Sequence, residues 1–201
     1  MKKQVVVIHG GDTFDSYEDY LTFLNAFEVD KESLFSKDWK KSYLQSELGE
    51  EYEVLLLQMP NKFNAKYLEW KIWFEKYIPF FNQEVILVGH SLGGIFLAKY
   101  LAENTLEKTI KAVFLIAAPF DNVDTYSLAD FGLPSSLELI EKQVKHIFLF
   151  QSQDDPVVPF AELAKYQTDL PSAQAKIFTD KGHFNQETFP ELVDEILKLG
   201  S

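Results

Sequence analysis

The sequence predicts an α/β fold: a doubly wound, mostly parallel sheet of about six strands with helices on both faces. Three observations carry this. Six short apolar runs are nearly continuous in Val, Ile and Leu rather than alternating with polar residues, as strands covered on both faces are. Helical stretches alternate with them. The 201 residues, 46% hydrophobic, suffice for one sizeable core.

The predicted strands are Gln4–Ile8, Glu53–Leu57, Glu84–Val88, Ala112–Ala117, His146–Phe150 and Ala175–Phe178. The first two are joined by an irregular segment, 12–51, with helices expected at Tyr17–Phe27 and Ser36–Leu48. A helix capped by Asn64 is expected through about Phe80, with Tyr67, Leu68, Ile72, Phe74 and Tyr77 as its apolar positions. Leu92–Glu103 follows the third strand. Ser135–Lys145, Phe160–Asp169 and Glu187–Leu199 complete the helices. A second irregular stretch, 118–136, follows the fourth strand. The expectation is a single domain over 1–201, with 12–51 and 118–136 as candidate small cap elements.

Composition excludes several classes. The net charge is −12, with 19 Lys and Arg scattered among 31 acids. A phosphate-tracking groove needs clustered cations, so nucleic acid is not an expected partner. The same balance disfavours an anionic membrane surface. There is no cysteine, hence no disulfide, zinc–thiolate site or thiol nucleophile. The N-terminal apolar run is too short for a secretory signal, and nothing approaches a membrane span. A cytoplasmic location is the expectation.

The chemistry centres on "GHSLG", Gly89 to Gly93. It matches the G-x-S-x-G pattern of a nucleophile elbow, and a strand precedes it and a helix follows it. A strand turning abruptly into a helix strains the corner residue and lifts its side chain clear of the sheet. Side chains two residues to either side would collide there, so glycine belongs at 89 and 93. Ser91 would then stand at a helix N-terminus, where N–H groups and the helix dipole meet a developing negative charge. A dinucleotide fingerprint needs G-x-G-x-x-G, which is not present.

A serine nucleophile needs a base, and the base needs an orienting group. Of four histidines, His9 and His90 sit in glycine turns and His146 opens a strand. His183 in "TDKGHFN" follows the last predicted strand, where such sheets hold their sites. The acid should fall between serine and histidine in the chain. "SQDDPVVP" offers Asp154 and Asp155 at the end of the fifth strand. Asp155 is the choice; Asp154 is expected to bond local N–H groups in the turn. The oxyanion donors are expected to be the N–H of Leu92 and, from the first-strand turn "HGGD", that of Gly11, with Asp12 or Gly10 as alternatives. Phe14, Met59 and Phe120 follow strand ends and are candidates for an apolar pocket. No metal or organic cofactor is required.

These islands resemble the α/β-hydrolase superfamily, and more closely its small serine hydrolases of the retinoblastoma-binding-protein type. The resemblance rests on "HGG", "QMPN", "GHSLGG", and the pair "SQDDPVVP" and "KGHFN", which together span the chain. It implies Ser91 as nucleophile, Asp155 as acid and His183 as base. The insert after Asp12 is longer than compact members carry, and "HGGD" differs from their glycine-rich loop. The expected activity is hydrolysis of short- to medium-chain carboxylic esters through an acyl-enzyme. The rival expectation is a ligand- or partner-binding protein on a hydrolase scaffold.

Overall fold

The computed structural model describes residues 2–29, 31, 37–122 and 126–200. Six strands form its centre: β1 (Lys3–Ile8), β2 (Tyr52–Leu57), β3 (Glu84–His90), β4 (Thr109–Ile116), β5 (Ile147–Ser152) and β6 (Gln174–Phe178). They lie in the order β2-β1-β3-β4-β5-β6, every pair parallel. The chain steps outward from β1 to β2, then crosses back to build β3 on the other side of β1. That reversal opens a crevice at the C-terminal ends of β1 and β3, where sheets of this kind hold ligands.

Alternation along the central strands divides the core in two. Val6, Ile8, Val85 and Leu87 face one side, while Val5, Val7, Ile86 and Val88 face the other. The first side is covered by α3 (Tyr67–Tyr77), α4 (Leu92–Glu103), α5 (Glu138–Gln143) and α6 (Glu162–Asp169). The second is covered by α2 (Leu44–Leu48), entered through a π-helical turn at Trp39–Tyr43, and by α7 (Pro190–Leu199). Helix α1 (Tyr17–Ala26) stands apart, because none of its residues is buried.

All six strands form where expected, with ends shifted by up to three residues. The helices differ more. The segment expected as a helix from Ser36 starts at Trp39, with Asp38 Oδ1 accepting from Lys40 N–H; Ser36 itself lies outside the described residues. Asn64 does not cap α3. The cap position is Lys66, and the open N–H of Tyr67 is taken by Asp130 Oδ2 at 3.0 Å, from the 118–136 stretch. The buried face of α3 is Tyr67, Trp70 and Phe74, whereas Leu68 and Ile72 are exposed. The helix expected over Ser135–Lys145 shrinks to α5, because Val144 leaves it to bridge Ile110 beside the sheet. Among the described residues no helix is long and apolar enough to cross a membrane.

Phe96 on α4 ties the elbow helix to its core. Its ring meets Tyr67, Trp70, Phe74 and Tyr100 at centroid distances of 5.9, 5.6, 5.5 and 6.0 Å. Phe96→Ala removes that ring from a fully buried position. We expect a loss of about 3–5 kcal/mol, read from urea unfolding followed by circular dichroism.

Candidate active site

The site grows from the corner between β3 and α4. Ser91 is the hinge residue, with φ 54° and ψ −122°, a conformation that costs on the order of 1–3 kcal/mol for a residue with a side chain. Three backbones converge there. A Cβ on Gly89 would strike the Gly93 carbonyl, and one on Gly93 would lie 2.5 Å from the Ile8 carbonyl oxygen at the end of β1. Glycine is required at both positions by close approach. The N–H of Ser91 is held by Ile116 O of β4 at 2.8 Å.

Two loops bring partners to Ser91. Ser91 Oγ lies 2.9 Å from His183 Nε2, and His183 Nδ1 lies 2.9 and 3.1 Å from the two Asp155 oxygens. With Nδ1 facing a carboxylate, the ring carries its proton there and Nε2 is left to accept from the hydroxyl. The Asp155 side chain is fully buried, and Oδ1 also accepts from the N–H groups of Val157 and Val158 at 2.8 and 3.0 Å. Sequence order and loop placement pick Ser91, Asp155 and His183, and the fold joins these three side chains in one hydrogen-bonded chain.

Asp154 bonds both within its own turn and across to the histidine loop. Its Oδ1 accepts from the Gly182 N–H at 3.0 Å and from the Ser152 hydroxyl. Ser152 Oγ in turn accepts from Lys181 N–H at 3.2 Å. The pair therefore ties the aspartate loop to the histidine loop. The Ser152 hydroxyl and then these backbone donors hold the Asp154 carboxyl below its usual range. Gly182 and Phe184 flank His183 with φ of 48° and 53°. Phe184 is not glycine, and its left-handed backbone survives because its ring is fully buried against Phe178 and Phe189.

The other two histidines near the site are structural parts of it. His9 accepts from Met59 N–H at Nε2 (2.9 Å) and donates from Nδ1 to Gly10 O (2.6 Å), which fixes the turn after β1 against the loop after β2. Burial holds its pKa below the ordinary value. His90 donates from Nε2 to His183 O at 2.7 Å, and Trp39 Nε1 donates to Phe184 O at 2.8 Å. Nδ1 of His90 is buried without a partner among the described residues. Burial first, then the charge of Lys40, holds His90 well below the usual imidazole range, so it stays neutral.

Gly11 and Leu92 N–H have no hydrogen-bond partner among the described residues. Asp12 N–H is committed to Lys62 O at 2.8 Å, which removes it from the alternatives for an oxyanion donor. A cleft of about 1320 Å³ opens over Ser91 and His183. Phe14 lines it, as expected. Met59 does not: its side chain is buried in the core beneath, and its N–H faces the cleft side only to bond His9. Phe120 does not either, because its ring turns away onto Tyr166 at 4.9 Å. The wall is instead completed by Phe23, Phe27 and Phe63, in a run of ring contacts from Phe14 at 5.1, 5.3 and 6.5 Å. The four-residue spacing of Phe23 and Phe27 on one helix face was the available signal for them. Among the described residues no cluster of His, Asp and Glu side chains could hold a metal ion.

A family model described as serine hydrolase matches residues 35–196. The chain belongs to the serine hydrolase family. Among curated relatives, the hydrolase is 28% identical over 155 residues to serine hydrolase RBBP9 of Rattus norvegicus, covering 77% of this chain and 81% of that one. It is 24% identical over 151 residues to the putative hydrolase YdeN of Bacillus subtilis, covering 74% and 77%. The crystal structure of that ydeN product superposes with a TM-score of 0.79 at 21% identity, over 99% of both chains. The fold is thus of the α/β-hydrolase type.

The neutral His90 has a consequence for stability. Unfolding frees it to titrate near ~6.5, while the folded site resists protonation. Its contribution is therefore present above the unfolded pKa and lost as pH falls below it. We expect the urea midpoint to drop between pH 7 and pH 5, by at most about 1.4 kcal/mol per pH unit from this group. His90→Gln, which keeps a side-chain N–H donor, should flatten that part of the pH dependence.

Proposed function

We propose that this hydrolase cleaves short- to medium-chain carboxylic esters through an acyl-enzyme on Ser91. The observation that carries the reading is the hydrogen-bonded chain from Ser91 Oγ through His183 to a buried, doubly N–H-bonded Asp155. His183 Nε2 takes the serine proton as Oγ attacks the ester carbonyl carbon. Asp155 keeps the ring in the Nδ1–H form and stabilises the imidazolium. The carbonyl electrons move to oxygen, and the N–H groups of Leu92 and Gly11, which have no other partner among the described residues, donate hydrogen bonds to the resulting oxyanion. The tetrahedral adduct collapses, His183 protonates the departing alcohol, and the acyl group remains on Oγ. Water then repeats the sequence and releases the acid.

The cleft supports the reading of an ester of modest length. It is open, walled on one side by Phe14, Phe23, Phe27 and Phe63, and has space for an apolar acyl group. We read residues 1–201 as one domain in which parts of 12–51 and 118–136 act as small caps. Phe23 of helix α1 and its flanking residues Phe14 and Phe27, with Phe63 from the loop after β2, supply the aromatic wall. Pro119, Asn122 and 126–129 also line the cleft; Val123–Thr125 lie outside the described residues.

Turnover of p-nitrophenyl acetate, butyrate and octanoate tests the reading. Ser91→Ala should lower kcat on the order of 10⁶-fold and abolish fluorophosphonate labelling. A folded wild type that labels once without steady turnover would instead favour a binding role. Asp155→Asn should cost about 10⁴-fold in kcat, because the amide presents N–H to Nδ1 and forces the wrong tautomer. Equal rates in Asp155→Asn and wild type would remove Asp155 from the mechanism.

A further inference from the structure

We propose that Trp39 and His90 are positioning residues for the His183 imidazole, acting through the two successive backbone carbonyls of the loop that carries it. The inference rests on the reading of His183 as general base.

The geometry is a clamp. His90 Nε2–H is 2.7 Å from His183 O, and Trp39 Nε1–H is 2.8 Å from Phe184 O. Both donors are buried, at 3% and 0% exposure. The indole packs edge-on against the His90 ring, with centroids 5.9 Å apart at 82°, and against Phe189 at 5.4 Å. Fixing these carbonyls fixes the peptide planes on both sides of the Phe184 Cα, and the first of them, between His183 and Phe184, restrains the direction of the His183 Cα–Cβ bond. On the other side of His183, the Gly182 N–H is fixed by Asp154. The base is thus held from both flanks while its ring spans Asp155 and Ser91.

Two features separate this from ordinary packing. His90 directly precedes Ser91, so nucleophile and base are joined twice: side chain to side chain at 2.9 Å, and His90 ring to His183 carbonyl. A shift of the base loop relative to the elbow must break one of these. The loop also holds two residues at positive φ, one of them Phe184, so its shape is not one the chain relaxes into unaided. The clamp gives the second half of the 12–51 insert a task. Trp39 lies 145 positions from its partner Phe184, and it reaches the histidine loop from beneath the sheet.

The test uses p-nitrophenyl butyrate and five variants of the full chain. Trp39→Phe keeps the ring and removes the N–H. His90→Leu removes the donor, His90→Gln restores one, and Ser91→Ala reports on the underlying reading. A misplacement of the order of an ångström costs roughly 10²-fold. We therefore expect kcat to fall about 10- to 100-fold in Trp39→Phe and His90→Leu with KM within about twofold. His90→Gln should recover most of the loss in His90→Leu. In proton NMR, the downfield imidazole N–H signal of the His183–Asp155 bond, assigned by its loss in Asp155→Asn, should weaken or shift in Trp39→Phe. Should His90→Leu not fold, Trp39→Phe and this signal decide. An unchanged kcat and N–H signal in Trp39→Phe, even with a lowered Tm, overturns the proposal, as does a rise in KM alone. Turnover surviving in Ser91→Ala is a different failure, because it removes the base reading itself.

Discussion

Everything in this molecule is arranged around one close approach, where the elbow after β3 is pressed against the end of β1. The Gly93 backbone lies so near the Ile8 carbonyl that no side chain fits between them. That contact demands that β1 and β3 be neighbours, which the parallel register from Gln4–Val85 to Ile8–Gly89 provides. It also sets the strain at Ser91, whose φ of 54° is sustained by the strand ladder behind it and the buried helix ahead of it. A looser sheet would let the corner relax and the hydroxyl turn away.

The remaining site residues are placed by loops, and loops need fastening. The acid and histidine loops are bound to each other by Ser152 and Asp154, whose oxygens take the Lys181 and Gly182 N–H groups. They are bound to the nucleophile corner by His90 and to the lower face of the sheet by Trp39. Every one of these is a backbone group paired with a side chain from a distant part of the chain. Buried backbone polar groups must find partners, and here the pairing also decides where an imidazole points.

Neutrality is the second theme. His9 and His90 are kept uncharged by burial, each with its tautomer dictated by one donated hydrogen bond. A cation at His90, whose ring centroid is 5.0 Å from that of His183, would oppose the positive charge that forms there during proton transfer. The acids behind the net charge of −12 are spread more widely, and Asp12, Asp15, Asp19 and Asp38 among them line the cleft itself.

Much of this was written in local sequence. Six runs of Val, Ile and Leu, read with their period and spacing, specify six parallel strands, because strand burial on both faces selects those residues wherever they occur. The elbow is legible as a pattern, although only Gly89 answers a clash within the turn, with the Gly93 carbonyl, while Gly93 answers the carbonyls of Ile8 and His9 on the neighbouring strand end. The order of Ser91, Asp155 and His183 could be read because each stands at a strand end. Pocket and supports could not be read this way. Met59 and Phe120 follow strand ends as Phe14 does, yet one turns into the core and the other onto Tyr166. The aromatic wall joins Phe23 of α1, a helix with no buried residue, to Phe14 before it, Phe27 just past its end and Phe63 after β2, through ring contacts between separate stretches of chain. Asp130 on Tyr67, Asp154 on Gly182 and Trp39 on Phe184 span 63, 28 and 145 positions. Local propensity governs which backbone an element adopts. Only the assembled sheet determines which distant donor arrives at which unpaired carbonyl, and so where the histidine is held.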